Sequence, residues 1–250
     1  MLRIMAMVHT RVHFCNFVLL QYKNYIHTLR TSLLKPNYLN DQRAKLIDNL
    51  RERGIKDEAV LQVMASLPRE KFVHPAFIQR AYEDSALPLV QQQTISQPYT
   101  VAYMTSLLNI KPNDKILEIG TGSGYQAAVL AKLGAKVYSI EREFELHRQA
   151  AKTLQDLGLQ VQTRFGDGTI GWSEYAPYQG IIVTAGAPDI PRSLLMQLAI
   201  GGKLVIPSGD RNSQILYMIT RQSENDFDSV QLEEFKFVPL IGREGWQEAK

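Results

Sequence analysis

A chain of 250 residues with 45% hydrophobic and 21% charged side chains can bury a substantial core, as one large domain or two small ones. Its single cysteine, Cys15, excludes an intrachain disulfide and any multi-cysteine metal site, which fits a reducing, cytoplasmic setting. The formal charge of +3 comes from residues 1–40, which carry Arg3, Arg11, Lys23, Arg30 and Lys35 and no acid; residues 41–250 hold 23 basic and 25 acidic residues, so the globular part shows no broad footprint for nucleic acid.

Residues 1–40 also differ from the rest in holding three of the five histidines and three of the seven methionines. Their most apolar piece, Phe14–Leu20, is too short to span a membrane. His13 and Asn16 spoil it as a secretory signal, and no small-residue cleavage pattern follows closely. The expectation is an N-terminal extension, disordered or loosely attached, with an added helix or a basic targeting segment as alternatives. A single domain is expected over residues 41–250, helical through residue 110 and sheet-forming from 111 onward.

Asp41–Arg53 places Ala44, Leu46, Ile47 and Leu50 at helical spacing before a stop at Gly54. Asp57 suits the N-cap of a second helix carrying Val60, Leu61, Val63 and Met64, ended by Pro68. Phe72, Val73, Phe77 and Tyr82 suggest a packed connection, and Asp84–Pro98 reads as irregular. A helix is predicted over Tyr99–Leu108, then a turn at Lys111–Asp114. Lys115–Glu141 reads as strand, glycine loop, helix, strand, with the helix stopping at Gly134. A helix over 143–157 closes at Gly158, and Leu159–Phe165 forms a third strand. Gly180–Val183 is a fourth; Pro188 and Pro191 open a helix through Leu198; Gly201-Gly202 turns into a fifth strand, Lys203–Ile206. Two terminal strands, Gln214–Thr220 and Val230–Val238, flank the polar loop Gln222–Ser229. Strands alternating with helices, then strands alone, predict a doubly wound, Rossmann-like α/β sheet with an antiparallel C-terminal edge.

The stretch Lys115–Glu141 carries the ligand signal. Gly120, Gly122 and Gly124 let the backbone after a buried strand approach a ligand closely. The spacing is G-x-G-x-G rather than the dinucleotide G-x-G-x-x-G, and no G-x-x-x-x-G-K-[ST] phosphate loop occurs. Glu118 stands two residues before the first glycine. An acid there suits a ligand bearing positive charge and no phosphate. S-adenosyl-L-methionine, with its sulfonium and amino-acid end, is such a ligand. Glu141, ending the second strand, is placed for the ribose hydroxyls, and Asp167, ending the third, for the adenine amino group. Glu118 and the loop amides around Gly122–Gly124 would take the methionine end. Taken singly, the glycines fit a tight turn, Glu141 a solvated strand end and Asp167 a turn residue; together they point to the cofactor.

The acceptor side needs residues outside that loop. Thr94-Ile95-Ser96-Gln97-Pro98 lies in a polar stretch, with two hydroxyls on one side if extended. Ser96 could equally cap the following helix. His74 and His147 read as surface or packing residues, and no metal-ligand cluster is evident.

The segments REKFV (69–73), AYEDSALP (81–88), QTISQPYTVAYMTSLL (93–108), LEIGTGSGYQ (117–126), GDG (166–168), IIVTAGAPDIP (181–191), QLAIGGKLVIPSG (197–209) and FVPLIG (237–242) resemble the protein-L-isoaspartate (D-aspartate) O-methyltransferase family over about Asp41–Trp246. The resemblance implies methyl transfer from S-adenosyl-L-methionine to the α-carboxylate of L-isoaspartyl residues in damaged proteins, by a cytoplasmic monomer acting on proteins rather than on nucleic acid or membrane. The ester then closes to a succinimide without the enzyme, and hydrolysis returns some aspartate. It further implies an active-site role for Ser96, places Thr94 and Ile95 beside cofactor and substrate, adds Gly168 to the cofactor set, and sets Val238, Pro239 and Leu240 near the bound peptide. The sequence departs from the family at Val90 and Gln92, where a G-x-G precedes Q-T-I-S. If those positions need φ > 0, valine is badly suited. That departure keeps open a methyltransferase with another acceptor, or a catalytically weakened cofactor-binding module.

Overall fold

The computed structural model describes residues 36–248. The expectations for residues 1–35 lie outside the described residues. Two units part after Arg43; the described portion of the first, residues 36–43, is the opening of helix α1 (Pro36–Glu52). The helix starts earlier than the expected Asp41, because proline suits a first helical turn, where a backbone N–H has no partner in any case. It closes with the Ile55 N–H on the Leu50 carbonyl at 3.1 Å and the Gly54 N–H on that of Arg51 at 3.0 Å. The same paired closure ends α4 (Tyr125–Lys132) at Gly134 and α5 (Phe144–Asp156) at Gly158.

Helix α2 (Glu58–Ser66) is capped as expected: the Asp57 side chain accepts from the Val60 N–H at 3.1 Å, and Val60, Leu61 and Met64 are buried. Short 3-10 turns at Arg69–Lys71 and Pro75–Arg80 follow. The stretch expected to be irregular contains a small hairpin, β1 (Leu87–Pro88) against β2 (Thr94–Ile95). Helix α3 (Pro98–Leu108) comes next.

The central sheet contains β3 (Lys115–Ile119), β4 (Lys136–Glu141), β5 (Val161–Phe165), β6 (Tyr178–Val183), β7 (Leu198–Gly209), β8 (Gln214–Arg221) and β9 (Phe227–Phe235), in the order β5-β4-β3-β6-β7-β8-β9. The five strands from β5 to β7 run parallel; β8 and β9 are antiparallel, completing a Rossmann-like α/β fold. Leu117, Ile119, Ile140, Ile181, Val183, Leu204 and Ile206 form the sheet's buried core. Each such side chain contributes roughly 1.5–3 kcal/mol by leaving water.

Several boundaries shift from expectation, among them the start of β9 at Phe227 rather than Val230, and three of the shifts bear on the site. The helix after Pro191 is only one turn and a half, α6 (Arg192–Met196), because Leu198 already belongs to β7. Gly201-Gly202 is not a turn before a strand but a bulge within β7: Tyr178 pairs with Leu198 and Gly180 with Lys203. A Cβ on Gly202 would come within 2.8 Å of the Tyr178 carbonyl, so a side chain does not fit there. Strand β9 ends at Phe235, which frees Val238–Leu240 to cross to the end of β6. There Gly186 donates to the Val238 carbonyl and accepts from the Leu240 N–H, both at 2.8 Å.

The chain enters the sheet at β3, runs outward through β4 to β5, then returns to β6 on the other side. The strand order therefore reverses between β3 and β6, where α/β sheets leave a crevice beyond the carboxyl ends of the strands.

Candidate active site

That crevice is a cleft of about 890 Å³ including its solvent-facing mouth. The loop after β3, the ends of β4 and β6, Gly168 after β5, residues 93–96 and residues 238–241 all line it. Among the expected site residues, the cleft brings together Thr94, Ile95, Ser96, Gly120, Gly122, Glu141, Gly168, Val238, Pro239 and Leu240.

The glycine loop is held from both sides. The Gly120 N–H bonds the Ile140 carbonyl at 2.8 Å. Thr184 Oγ1, at the end of β6, donates to the carbonyls of Gly120 at 2.8 Å and Ile119 at 3.0 Å. Gly120 has φ +94°, and a Cβ there would stand 2.5 Å from Thr184 Oγ1, so only glycine fits. Gly122, at φ +53°, has open space where a side chain would be.

Glu141 is buried and anchors the loop to β4. Its Oε2 accepts from the Gly122 N–H at 2.8 Å and its Oε1 from the Glu143 N–H at 2.9 Å. Each carboxylate oxygen accepts more than one hydrogen bond, so both keep capacity for a pair of vicinal hydroxyls. The cationic side chain of the lining is Arg142, paired with Glu143 and Glu248. A cleft with one paired cation does not suit phosphates. A glycine cradle beside a buried carboxylate suits an adenosine carrying a sulfonium.

Three expected cofactor residues do not line the cleft. Gly124 instead sets the helix start against α5: a Cβ on it would lie 3.4 Å from Leu154 and Ala150 side chains. Asp167 caps its own turn, accepting from the Thr169 N–H at 2.8 Å and hydroxyl at 2.7 Å, while its other oxygen accepts from the Arg243 N–H at 2.8 Å. It faces the adjoining groove with Arg142, Phe165 and Trp246. Glu118 lies beneath the loop, fully buried, and accepts from the Ser139 hydroxyl. Burial first, and the nearby negative charge of Glu141, push its carboxyl from the ordinary 4.5 up to about 8, against the Ser139 hydroxyl and the Ala127 N–H.

Sequence reasoning missed Arg69 as a supporting residue. Its guanidinium is fully buried, donating from Nε to the Ala81 carbonyl at 2.8 Å and from Nη2 to the Ser96 carbonyl at 2.9 Å. It also lies 4.7 Å from the ring centroid of Tyr125, which lines the cleft. Desolvation lowers its pKa. A charged residue just after a helix-ending proline gives no sequence signal for such burial.

The hairpin before Ser96 settles where the backbone is left-handed. Gln91 and Gln92 have φ +56° and +55°, and the Gln93 N–H bonds the Val90 carbonyl at 3.2 Å. This is a tight turn with glutamines in two left-handed positions. Val90 is not among the positive-φ residues, so the strain expected of valine does not arise there.

The sequence profile of the Protein-L-isoaspartate(D-aspartate) O-methyltransferase (PCMT) family matches residues 41–245. The chain belongs to this family. A Salinibacter ruber protein named Protein-L-isoaspartate O-methyltransferase is 52% identical over 210 residues, covering 80% of this chain and 91% of the relative. One of the same name from Chlorobaculum tepidum is 52% identical over 206 residues, covering 82% and 96%. A Plasmodium falciparum crystal structure described as a beta-aspartate methyltransferase (PCMT), in complex with S-adenosyl-L-homocysteine, superposes with TM-score 0.70 at 26% identity, over 80% of this chain and 98% of that one.

Proposed function

We propose that the cleft transfers a methyl group from S-adenosyl-L-methionine to the α-carboxylate of L-isoaspartyl residues in damaged proteins. One observation carries the reading: residues 94–96 and 238–240 meet the glycine loop and Glu141 in a single cleft. When bound, the cofactor supplies a methyl group activated on a sulfonium. The protein has little acid–base chemistry to perform. The acceptor carboxylate, with a pKa of roughly 3.5, is already ionised at neutral pH. The protein's task is to hold one carboxylate oxygen in line with the methyl–sulfur bond, which can contribute on the order of 7–11 kcal/mol. Ser96 serves as the orienting hydroxyl, donating to the carboxylate rather than attacking it. Ile95, Val238, Pro239 and Leu240 offer an apolar and backbone surface to the peptide, and Glu141 takes the ribose. In this reading residues 41–250 form one methyltransferase domain preceded by an extension, and the enzyme works as a cytoplasmic monomer. Its partner is isoaspartyl-containing protein, not nucleic acid or membrane; the near-neutral charge of residues 41–250 supports the exclusion of nucleic acid.

The test is a pair of peptides differing only in an isoaspartyl or aspartyl linkage, incubated with methyl-labelled cofactor. Base-labile ester should form on the isoaspartyl peptide alone; equal labelling of both would sink the acceptor assignment.

A further inference from the structure

Glu118 is a buried acidic residue that the transfer itself does not use. It sits on β3 with no surface exposed. From its Oε2 a hydroxyl chain leads to the cleft. Ser139 Oγ on β4 is hydrogen-bonded to Oε2 and lies 2.6 Å from Thr121 Oγ1. Thr121 lines the cleft next to Gly120 and Gly122.

The direction of this chain depends on one proton. With Glu118 neutral, its O–H donates to Ser139, Ser139 donates to Thr121, and the Thr121 O–H is turned toward the cleft. With Glu118 ionised, both hydroxyls reverse. Thr121 then donates inward and presents its lone pairs to the cleft. A nearby cation favours the ionised form, and a neutral ligand does not. Desolvation keeps the free protein on the neutral side at pH 7, and Glu141 on the adjacent strand is the ionisable group that adds to it; Ser139 and the Ala127 N–H of α4 pull the other way.

We propose that Glu118 is a specificity-determining charge sensor, releasing its proton to solvent when the sulfonium of the methyl donor occupies the cleft and keeping it when the neutral thioether product does. The cleft thereby distinguishes unspent from spent cofactor without touching the methyl group. The inference rests on the methyltransferase reading and deepens it.

Calorimetry at pH 7 in two buffers of different ionisation enthalpy counts the protons. S-adenosyl-L-methionine should release more protons than S-adenosyl-L-homocysteine, by about 0.5–0.9 per site, since a group titrating near 8 is about nine-tenths protonated there. Glu118→Gln, which keeps the shape of the neutral carboxyl, should abolish the difference. In the unaltered protein the affinity for the donor relative to the product should also rise about tenfold from pH 7 to pH 9. Equal proton counts, a difference that persists in Glu118→Gln, or a relative affinity that does not change with pH would each overturn the proposal while leaving the cofactor reading intact. Failure of both ligands to bind would instead remove the cofactor reading, and this inference with it.

Discussion

The wall made by the ends of β3, β4 and β6 faces the wall made by residues 94–96 and 238–240 across one cleft, and the two are held by different means. The first is tied by backbone bonds between adjacent strands, with Glu141 and Thr184 pinning the glycine loop. The second is assembled from a hairpin and a C-terminal crossing, fixed by the buried Arg69 and by Gly186. The first wall is thus a property of the sheet, whereas the second depends on a few long-range anchors.

Removing the anchor of the second wall should have the largest effect. Arg69→Met leaves the Ala81 and Ser96 carbonyls without their donors and should cost about 2–4 kcal/mol of stability in urea unfolding. It should also raise KM for the isoaspartyl peptide. A loss below about 0.5 kcal/mol would mean that the hairpin does not lean on this side chain.

A crossed pair tests whether the walls are separable. Glu141→Ala should weaken S-adenosyl-L-homocysteine binding by about 1.5–3 kcal/mol, the scale of a hydrogen bond to a charged group. An unchanged dissociation constant would take Glu141 out of the site. Ser96→Ala should do the converse, lowering kcat/KM for the isoaspartyl peptide roughly 10- to 100-fold with the product's dissociation constant within about twofold. If both substitutions moved the same parameter, the two-wall picture would fail.

The smallest effect concerns the turn. Gln91→Gly and Gln92→Gly each remove a left-handed non-glycine residue and should stabilise by roughly 0.5–1 kcal/mol in thermal unfolding. Val90→Gly should give no gain. If restoring glycine at positions 90 and 92 changed acceptor preference rather than stability, the reading with a different acceptor would gain ground.

The same contrast decides what the sequence made legible. Helix stops at Gly54, Gly134 and Gly158 were readable because closure needs a particular residue at a particular place. The parallel strands were readable as short apolar runs, since both faces of each are buried. The β1–β2 hairpin was not, because its strands are two residues long and its turn lacks the Asn-Gly signal. Asp167 and Glu118 show another limit. A carboxylate at a strand end looks the same in sequence whether it faces a ligand, caps its own turn or lies beneath a loop. Arg69 was out of reach because only tertiary packing buries it. Val238–Leu240 reached the cleft through Gly186, a pairing that residue periodicity does not encode.

The most direct measurement is a crystal structure of this protein with S-adenosyl-L-homocysteine and an isoaspartyl peptide. The account predicts both ribose hydroxyls on the Glu141 carboxylate, the sulfur turned toward residues 94–96, and the peptide α-carboxylate within hydrogen-bonding reach of the Ser96 hydroxyl. A ribose away from Glu141, or a peptide carboxylate that reaches neither Ser96 nor the sulfur side of the cofactor, would contradict it.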